Sequence, residues 1–375
     1  MSTKATFSKR TLAVALVLTV ALVYTLSVVT SGRSPTCYTV RSLHTAFDQQ
    51  QPPQNPIIAH PPVPRPDSHT TEAVSSAADR KSPYSFTNLN SLESTHSAKD
   101  NEERVLVLTP LKDAVPYLDR YFELLNRTTY PNHLMDVGFL VSDSTDDTVS
   151  SLEEHAEAFQ QAGHPFHDVR IFRKDFNFEM PPLERHKFEY QPVRRSIMAR
   201  SRNTLLSAAL TDDVSWVAWV DVDVIEYPET IFEDLMSLDK DVVVPNCFLW
   251  HDDPKEEPEA YDRNNWQETK TSVELQKHMA SDFVLAEGYD EILETGRNSL
   301  TDMPTEFGLD YAVPLDGVGA TFTLVKAPVH REGAVFPAFP YKHQVETEGF
   351  AKIAKDMGFS VFGVPGYLIY HIKND

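Results

Sequence analysis

Trp216-Val217-Ala218-Trp219-Val220-Asp221-Val222-Asp223-Val224 is the stretch from which the rest of this chain is read. The unbroken apolar run, preceded by Asp212 and Asp213, predicts a buried strand that stops at two carboxylates one residue apart. In extended backbone alternate side chains share a face, so Asp221 and Asp223 are placed to converge on one hard divalent cation or on a water bound to it. The plainer reading of two acids after a strand is a solvated turn or a helix cap.

Upstream, Val105-Leu106-Val107-Leu108 reads as a short buried strand running into Thr109-Pro110-Leu111-Lys112-Asp113, and Tyr117, Leu118, Tyr121, Phe122 and Leu125 then recur at helical spacing. A second strand, Val137 to Val141, ends in Ser142-Asp143-Ser144-Thr145-Asp146-Asp147, which supplies caps for a helix through Leu152 and Ala158. A third strand is expected at about Val169 to Phe172. Strands alternating with helices in this order predict an α/β fold with a mostly parallel, Rossmann-like sheet flanked by helices. Ligands of such sheets sit beyond the carboxyl ends of the strands, so the loops starting at Thr109, Ser142 and Asp221 are expected along one crevice.

From Lys174 to Arg195 the chain lacks a clear period and reads as a long functional loop. In the helix that follows, Ile197, Leu205, Leu206 and Ala209 face inward, and Arg194, Arg195, Arg200 and Arg202 cluster in or near its first turns. A planar guanidinium suits a diphosphate, and ion pairing with nearby acids accounts for the same residues. Pro228 is expected to open a helix carrying Ile231, Leu235 and Met236 before the strand Val242-Val243-Val244. His251 to about Leu309 reads as an acidic insertion, including Trp266, that either shapes an acceptor site or decorates the surface. Leu315-Asp316-Gly317-Val318-Gly319 sets two glycines beside a lone acid, which suits close approach to a ligand or a tight turn with a capping Asp. A helix beginning near Glu346 turns Phe350, Ile353, Ala354 and Met357 inward. Glu346 and Glu348 either complement its dipole or put one carboxylate at an acceptor hydroxyl. The last strand, Tyr367 to Tyr370, ends at His371, whose imidazole completes a cation site if this strand joins the sheet that ends at Asp221.

The chain has 375 residues, a hydrophobic fraction of 41% and a formal charge of -21. That is enough chain for a large core, and the negative field, with no basic stripe among aromatics, argues against nucleic acid as a partner. Thr11 to Thr30 is uncharged and nearly all apolar, long enough to span a bilayer, and Lys4, Lys9 and Arg10 precede it. The expected layout is a cytoplasmic tail (1–10), a type II signal anchor (11–30), a stem rich in Pro and Ser (31–101) and a luminal body (102–375). Cys37 and Cys247 cannot form a disulfide framework, and Asn126-Arg127-Thr128 is a glycosylation sequon.

Taken together, Leu108-Thr109-Pro110-Leu111-Lys112-Asp113, Val141-Ser142-Asp143-Ser144, Arg200-Ser201-Arg202-Asn203, Asp221-Val222-Asp223, Leu315-Asp316-Gly317-Val318-Gly319, Phe336-Pro337-Ala338-Phe339-Pro340, Glu346-Thr347-Glu348-Gly349-Phe350 and Tyr370-His371-Ile372 resemble the fungal mannan-polymerase glycosyltransferases (family 62) of the Golgi. The resemblance spans about Arg104 to Ile372. It implies a GT-A nucleotide-sugar transferase fold, a GDP-mannose donor, an α-mannoside acceptor glycan and manganese. It also implies an α-1,6-linked mannan product made with retention, and a hetero-oligomer of related subunits in the Golgi membrane. By the same resemblance Asp221, Asp223 and His371 are metal ligands, and Thr109, Pro110 and Asp143 line the nucleotide pocket. Arg194 or Arg200 meets the phosphates, Asp221 also serves the nucleotide, and Asp316 and Glu346 are acceptor-side acids. The rival expectation is a subunit that keeps the fold but contributes only assembly and acceptor capture; a luminal metal-dependent phosphohydrolase is a more distant one.

Overall fold

The computed structural model describes residues 84, 86–180, 187–253, 258–287 and 294–373. The expected tail, membrane span and most of the stem lie outside them, as do parts of the 174–195 loop and of the 251–309 insertion. Among the described residues no helix is long and apolar enough to cross a membrane.

Eleven strands are described: β1 (Arg104–Leu111), β2 (Met135–Val141), β3 (Asp168–Arg173), β4 (Val214–Val220), β5 (Val224–Glu226), β6 (Val242–Leu249), β7 (Trp266–Gln267), β8 (Asn298–Ser299), β9 (Val313–Pro314), β10 (Phe322–Lys326) and β11 (Val361–His371). Seven α-helices accompany them: α1 (Val115–Arg127), α2 (Thr148–Gln160), α3 (Gln191–Ala209), α4 (Ile231–Ser237), α5 (Lys270–Gln276), α6 (Ala327–Arg331) and α7 (Glu346–Asp356). The main sheet runs β3-β2-β1-β4-β10-β6-β11-β5, with β9 paired to β11, and β7 and β8 form a separate ribbon. Strands β1 to β4 pair in parallel, as do β6 and β11, while β10 lies antiparallel between β4 and β6.

Alternation along the central strands divides the core in two. Val105, Val107, Trp216 and Ala218 pack with Leu118, Phe122, Leu152 and Ile231 of α1, α2 and α4. Leu106, Leu108, Val217 and Trp219 pack on the other face with Leu205, Val329 and Phe350 of α3, α6 and α7. A strand buried on both faces must be apolar throughout, which is why the β4 stretch shows no polar alternation. The helices change face where the chain passes from β3 through α3 to β4. The crevice between β1 and β4 is therefore the switch point of the sheet, where such folds bind ligands. Pro110 falls beyond Leu108–Trp219, the last pair of the β1–β4 ladder, so its missing N–H breaks no bond to β4.

Connectivity also forces the sheet to curl. Only Asp221-Val222-Asp223 separates β4 from β5, yet β5 pairs with β11 and so lies four places from β4 in strand order. Four strand spacings come to ~19 Å in a flat sheet, whereas the four Cα steps from Val220 to Val224 reach at most ~14 Å. The carboxyl end of this half must bend over, and it carries both aspartates with it. The sheet also parts at this end: β10 and β6 pair only at Leu324–Val243 and Val325–Val242. Into the gap come Tyr261 and Asp262, whose N–H groups donate to the Cys247 carbonyl at 3.1 and 3.3 Å.

Several expectations are corrected. Residues ahead of Glu102 already pack on the body: Ala98 is buried and the Ser94 hydroxyl donates to the Ser215 carbonyl. Asp147 precedes α2 without a side-chain cap; Asp146 instead accepts from Thr148 N and Val115 N, tying together the starts of α1 and α2. Ala158 and Met357 are exposed, and Met357 lies just past α7. The last strand begins at Val361 rather than Tyr367.

Candidate functional site

The site is assembled where β4 ends and β5 doubles back. The Asp221 N–H donates to the Thr321 carbonyl at 3.1 Å, and Val224 N donates to the Asp221 carbonyl at 3.3 Å, closing a turn with both carboxylates on it. On the facing edge His371 pairs with Val224, and the backbone N–H of Ile372 donates to the Asp223 carbonyl at 3.0 Å. His371 Nε2 thereby lies 2.9 Å from Asp223 Oδ1, although 148 positions separate them in sequence. The ring is buried and stacked on Tyr261, with centroids 3.7 Å apart.

Chemistry fixes the tautomer of His371. Its Nδ1 is 2.6 Å from the Ile372 carbonyl, which can only accept, so Nδ1 carries the proton. Nε2 of the neutral ring then turns a lone pair toward a carboxylate oxygen, an arrangement that only a proton or a cation between them reconciles. Burial pulls the imidazole down, but the hydrogen bond and charge of Asp223 outweigh it and leave the pKa above its ordinary value. A histidine pinned through Nδ1 to a carbonyl, with Nε2 aimed at an acid, has the orientation of a metal ligand. Two carboxylates and an imidazole are also a donor set that manganese accepts. By this test Asp221, Asp223 and His371 fit a divalent cation, although among the described residues no three such groups already stand in a ligand set.

Asp221 is held back by Arg202. The Arg202 guanidinium, 3% exposed, donates through Nη2 to Asp221 Oδ1 at 3.1 Å and through Nε to Glu346 Oε1 at 2.9 Å, while its Nη1 is buried without a partner. It lies over Trp219 and Phe336, with centroids at 5.5 and 5.8 Å. Burial pushes the Asp221 carboxyl up, Arg202 draws it back and Asp223 pushes it up again, for a pKa of about 6. Glu346 is the first residue of α7 and takes a φ of 61°, a left-handed conformation rare outside glycine, while its N–H donates to the Pro337 carbonyl. The next acid along, Glu348, is buried against Arg195 and accepts from the Trp266 indole N–H at 2.9 Å; burial raises its pKa.

The structure thus brings together Asp221, Asp223, His371 and Glu346. Asp316 goes elsewhere: it accepts from Glu268 N at 2.7 Å and pairs with Lys355, so it anchors the insertion to α7. Its two glycines admit parts of the chain itself. A Cβ at Gly317 would lie 2.3 Å from the Trp266 ring, and one at Gly319 would lie 1.8 Å from an Asp262 oxygen. Thr109 is buried, with its hydroxyl 2.7 Å from both the Val220 carbonyl and the Tyr121 hydroxyl, so it braces β1 against the end of β4. Asp143 accepts from Phe176 N and Asn177 N, ordering the loop after β3. Arg200 is exposed and lies 5.0 Å from the Phe176 ring; Arg194 is half-buried. Asn126 is exposed near the end of α1, its side-chain oxygen accepting from Asn132 at 2.9 Å.

From the sequence Arg202 was named only as one of the arginine cluster, and Tyr261 and Asp262 were not named as site residues. Helical phase would have revealed Arg202, which shares a face of α3 with Ala199, Leu206 and Ala209. No sequence signal marks Tyr261 or Asp262, whose roles follow from the parting of β6 and β10.

Fold and site define an α/β protein with a carboxylate, imidazole and guanidinium centre at the carboxyl end of a mostly parallel sheet. The chain belongs to the Anp1 family, whose model matches residues 83–340. It is 44% identical over 278 residues to the mannan polymerase II complex anp1 subunit of Schizosaccharomyces pombe, covering 72% of this chain and 64% of that protein. It is 37% identical to the mannan polymerase complex subunit MNN9 of Candida albicans, covering 78% and 80%. The ANP1 subunit of Saccharomyces cerevisiae is 39% identical, covering 76% and 58%. The chain thus spans less than two thirds of the length of either Anp1 relative. Among solved structures, a Pyrobaculum calidifontis mannosyltransferase in complex with GDP-Man and Mn2+ aligns at 14% identity over 76% of this chain and 59% of that one. Its TM-score is 0.39.

Proposed function

We propose that this chain is a metal-dependent GT-A glycosyltransferase that moves mannose from GDP-mannose to an α-mannoside acceptor, as one subunit of a mannan polymerase complex in the Golgi membrane. The observation that carries the reading is the meeting of Asp221, Asp223 and His371 at the switch-point end of the sheet, with Arg202 behind them. Family membership supports it, since the relatives above are named as mannan polymerase subunits. The donor, manganese, α-1,6 linkage, retention and type II topology come from the family resemblance.

Asp221, Asp223 and His371 would hold the cation, which supplies Lewis-acid neutralisation of charge on the departing diphosphate. Arg202 holds Asp221 in place and sets a buried positive charge behind it, which would offset negative charge developing at the centre. Its second bond orients Glu346, so one guanidinium sets the spacing of two carboxylates from segments far apart in sequence. Tyr261 fixes the plane of the His371 ring and screens it from water.

The competing reading, an assembly subunit without transfer activity, has one observation in its favour: Arg202 and His371 already pair with the two aspartates. The discriminating experiment incubates the purified full chain with manganese, a short α-mannoside and a panel of nucleotide sugars, then reads product and linkage. Mannose transfer from GDP-mannose that disappears in Asp223→Asn supports the enzyme. Absence of any product, together with absence of GDP binding in the presence of manganese, supports the assembly subunit.

A further inference from the structure

A polar cavity lies beside the cation site, lined by described residues between Ala260 and Asp302. Its volume is about 290 Å³. At roughly 30 Å³ of liquid volume per water, that is room for about ten waters, the scale of one monosaccharide. The cavity adjoins the site through two connections. Ala260 lines it, and the next residue, Tyr261, stacks on His371. Trp266 also lines it, and its indole N–H donates to Glu348, two positions from Glu346 on α7.

The deepest wall is built around Arg297. Its side chain is 2% exposed, its Nη1 and Nη2 donate to Glu287 at 2.7 Å and Glu268 at 3.2 Å, and its guanidinium carbon lies 3.5 Å from the Trp266 ring centroid. The Nε atom of this group is buried with no partner. That atom is closed to solvent, so what Arg297 gives the wall is a fixed charge held by Glu287 and Glu268. At the mouth Arg263 and Asp302 are exposed and, among the described residues, have no side-chain partner. Ser299 and Thr301 add two hydroxyls, 2.7 Å apart.

Charge separates the candidate ligands. Two guanidinium groups, Arg263 and Arg297, face two carboxylates, Glu287 and Asp302, so the lining is balanced. A phosphate would favour net positive charge and a cation net negative charge. Balanced, fork-shaped donors and acceptors around a volume of this size suit a neutral molecule dense in hydroxyl groups.

We propose that this cavity is a sugar-binding subsite that takes one pyranose residue of the acceptor glycan, with Arg297 and Glu287 at its floor and Arg263 and Asp302 at its rim. The site's polyol chemistry stands on the structure alone; its assignment to the acceptor rests on the transferase reading.

The test uses the full chain in detergent, with methyl α-mannoside and an α-mannobiose as probes and no donor present. Binding is followed by ligand-observed NMR and calorimetry in wild type, Arg263→Ala, Asp302→Asn and Thr301→Phe, the last filling the cavity. The two rim residues are exposed and have no side-chain partner among the described residues, so those variants are expected to fold. GDP binding with manganese is measured on each in parallel. The expected result is mannoside binding by wild type that weakens tenfold or more in all three variants, with the GDP response unchanged. Equal affinity in wild type and variants overturns the proposal, as does no mannoside binding by wild type, or inorganic phosphate competing for the cavity. Loss of the GDP response in every form, with mannoside binding still sensitive to the rim, overturns the transferase reading and leaves the subsite standing.

Discussion

Arg202 and His371 each satisfy a carboxylate that sits on a three-residue turn, and the two pairs set the chemistry of the centre. Replacing Asp223 with Asn leaves an amide beside His371 and removes one anionic donor. We expect a loss of at least about 100-fold in transfer and cation affinity, checked by steady-state assay and manganese titration. Arg202→Ala strands the buried Glu346 beside the partly exposed Asp221 as two unpaired anions. It should cost about 3–5 kcal/mol, read by urea unfolding, the usual cost of breaking a buried pair from one side. Glu346→Gln keeps the shape and one neutral acceptor, so a much smaller loss of stability is expected there. At this scale the sequence showed which residue types mattered but not all their directions. Arg195 and Arg202 are seven positions apart on the buried stripe of α3, whereas Arg194 and Arg200 face outward or partly so. Helical phase was legible and points to Arg202. The identity of its partners was not, because they lie 19 and 144 positions away.

Elements explain why the end of β4 is rigid. Trp219 donates its indole N–H to His330 Nε2 at 3.1 Å, and His330 Nδ1 donates to the Ala334 carbonyl at 2.8 Å, so α6 is locked to β4 through a neutral imidazole. Burial drives this pKa down to about 4, with the Ala334 bond opposing it only weakly. The sign follows directly: the unfolded histidine takes up a proton near pH 6.5 and the folded one does not. Stability present above pH 6.5 is therefore lost as pH falls toward about 4. At about 1.4 kcal/mol per pH unit the loss is on the order of 3 kcal/mol. Urea unfolding between pH 7 and 4 should show this slope, and His330→Phe should flatten it at a fixed cost of about 1–3 kcal/mol for the orphaned indole N–H. Gly319 makes the other element-level case. Gly319→Ala drives a methyl group into the Asp262 carboxylate that fills the β6–β10 gap, so we expect about 1–3 kcal/mol of destabilisation and a weakened cation site by the same assays. The sequence offered these glycines either for close approach to a ligand or for a tight turn with a capping Asp. It did not show that the approaching groups were Trp266 and Asp262, because both come from an irregular insertion with no period to place it.

On the scale of the whole molecule the site depends on one conflict of lengths, a short link between strands that are neighbours only if the sheet curls. That curl makes the paired acids and the last strand one structure, so ligand binding there should stabilise the fold globally. GDP at about 100 times its Kd should add roughly 2.7 kcal/mol and raise the Tm measurably when manganese is present. No shift is expected with GDP alone, with manganese and UDP, or in Asp223→Asn. The -21 charge is consistent with this requirement for a cation, since a bare diphosphate approaches a strongly negative surface.

By itself the sequence determined the alternation of strands and helices, the doubly buried β4, the position of the paired acids at its exit and the chain's place in its family. All of these depend on local periodicity or on ordered short motifs, which need no knowledge of distant contacts. Tertiary structure alone decided that β10 runs antiparallel between β4 and β6, that His371 meets Asp223, which two acids Arg202 joins, and that Asp316 serves the insertion. Each of those outcomes turns on which remote segments pair, and pairing is fixed by the curl and splitting of the sheet, a property that no window of sequence contains.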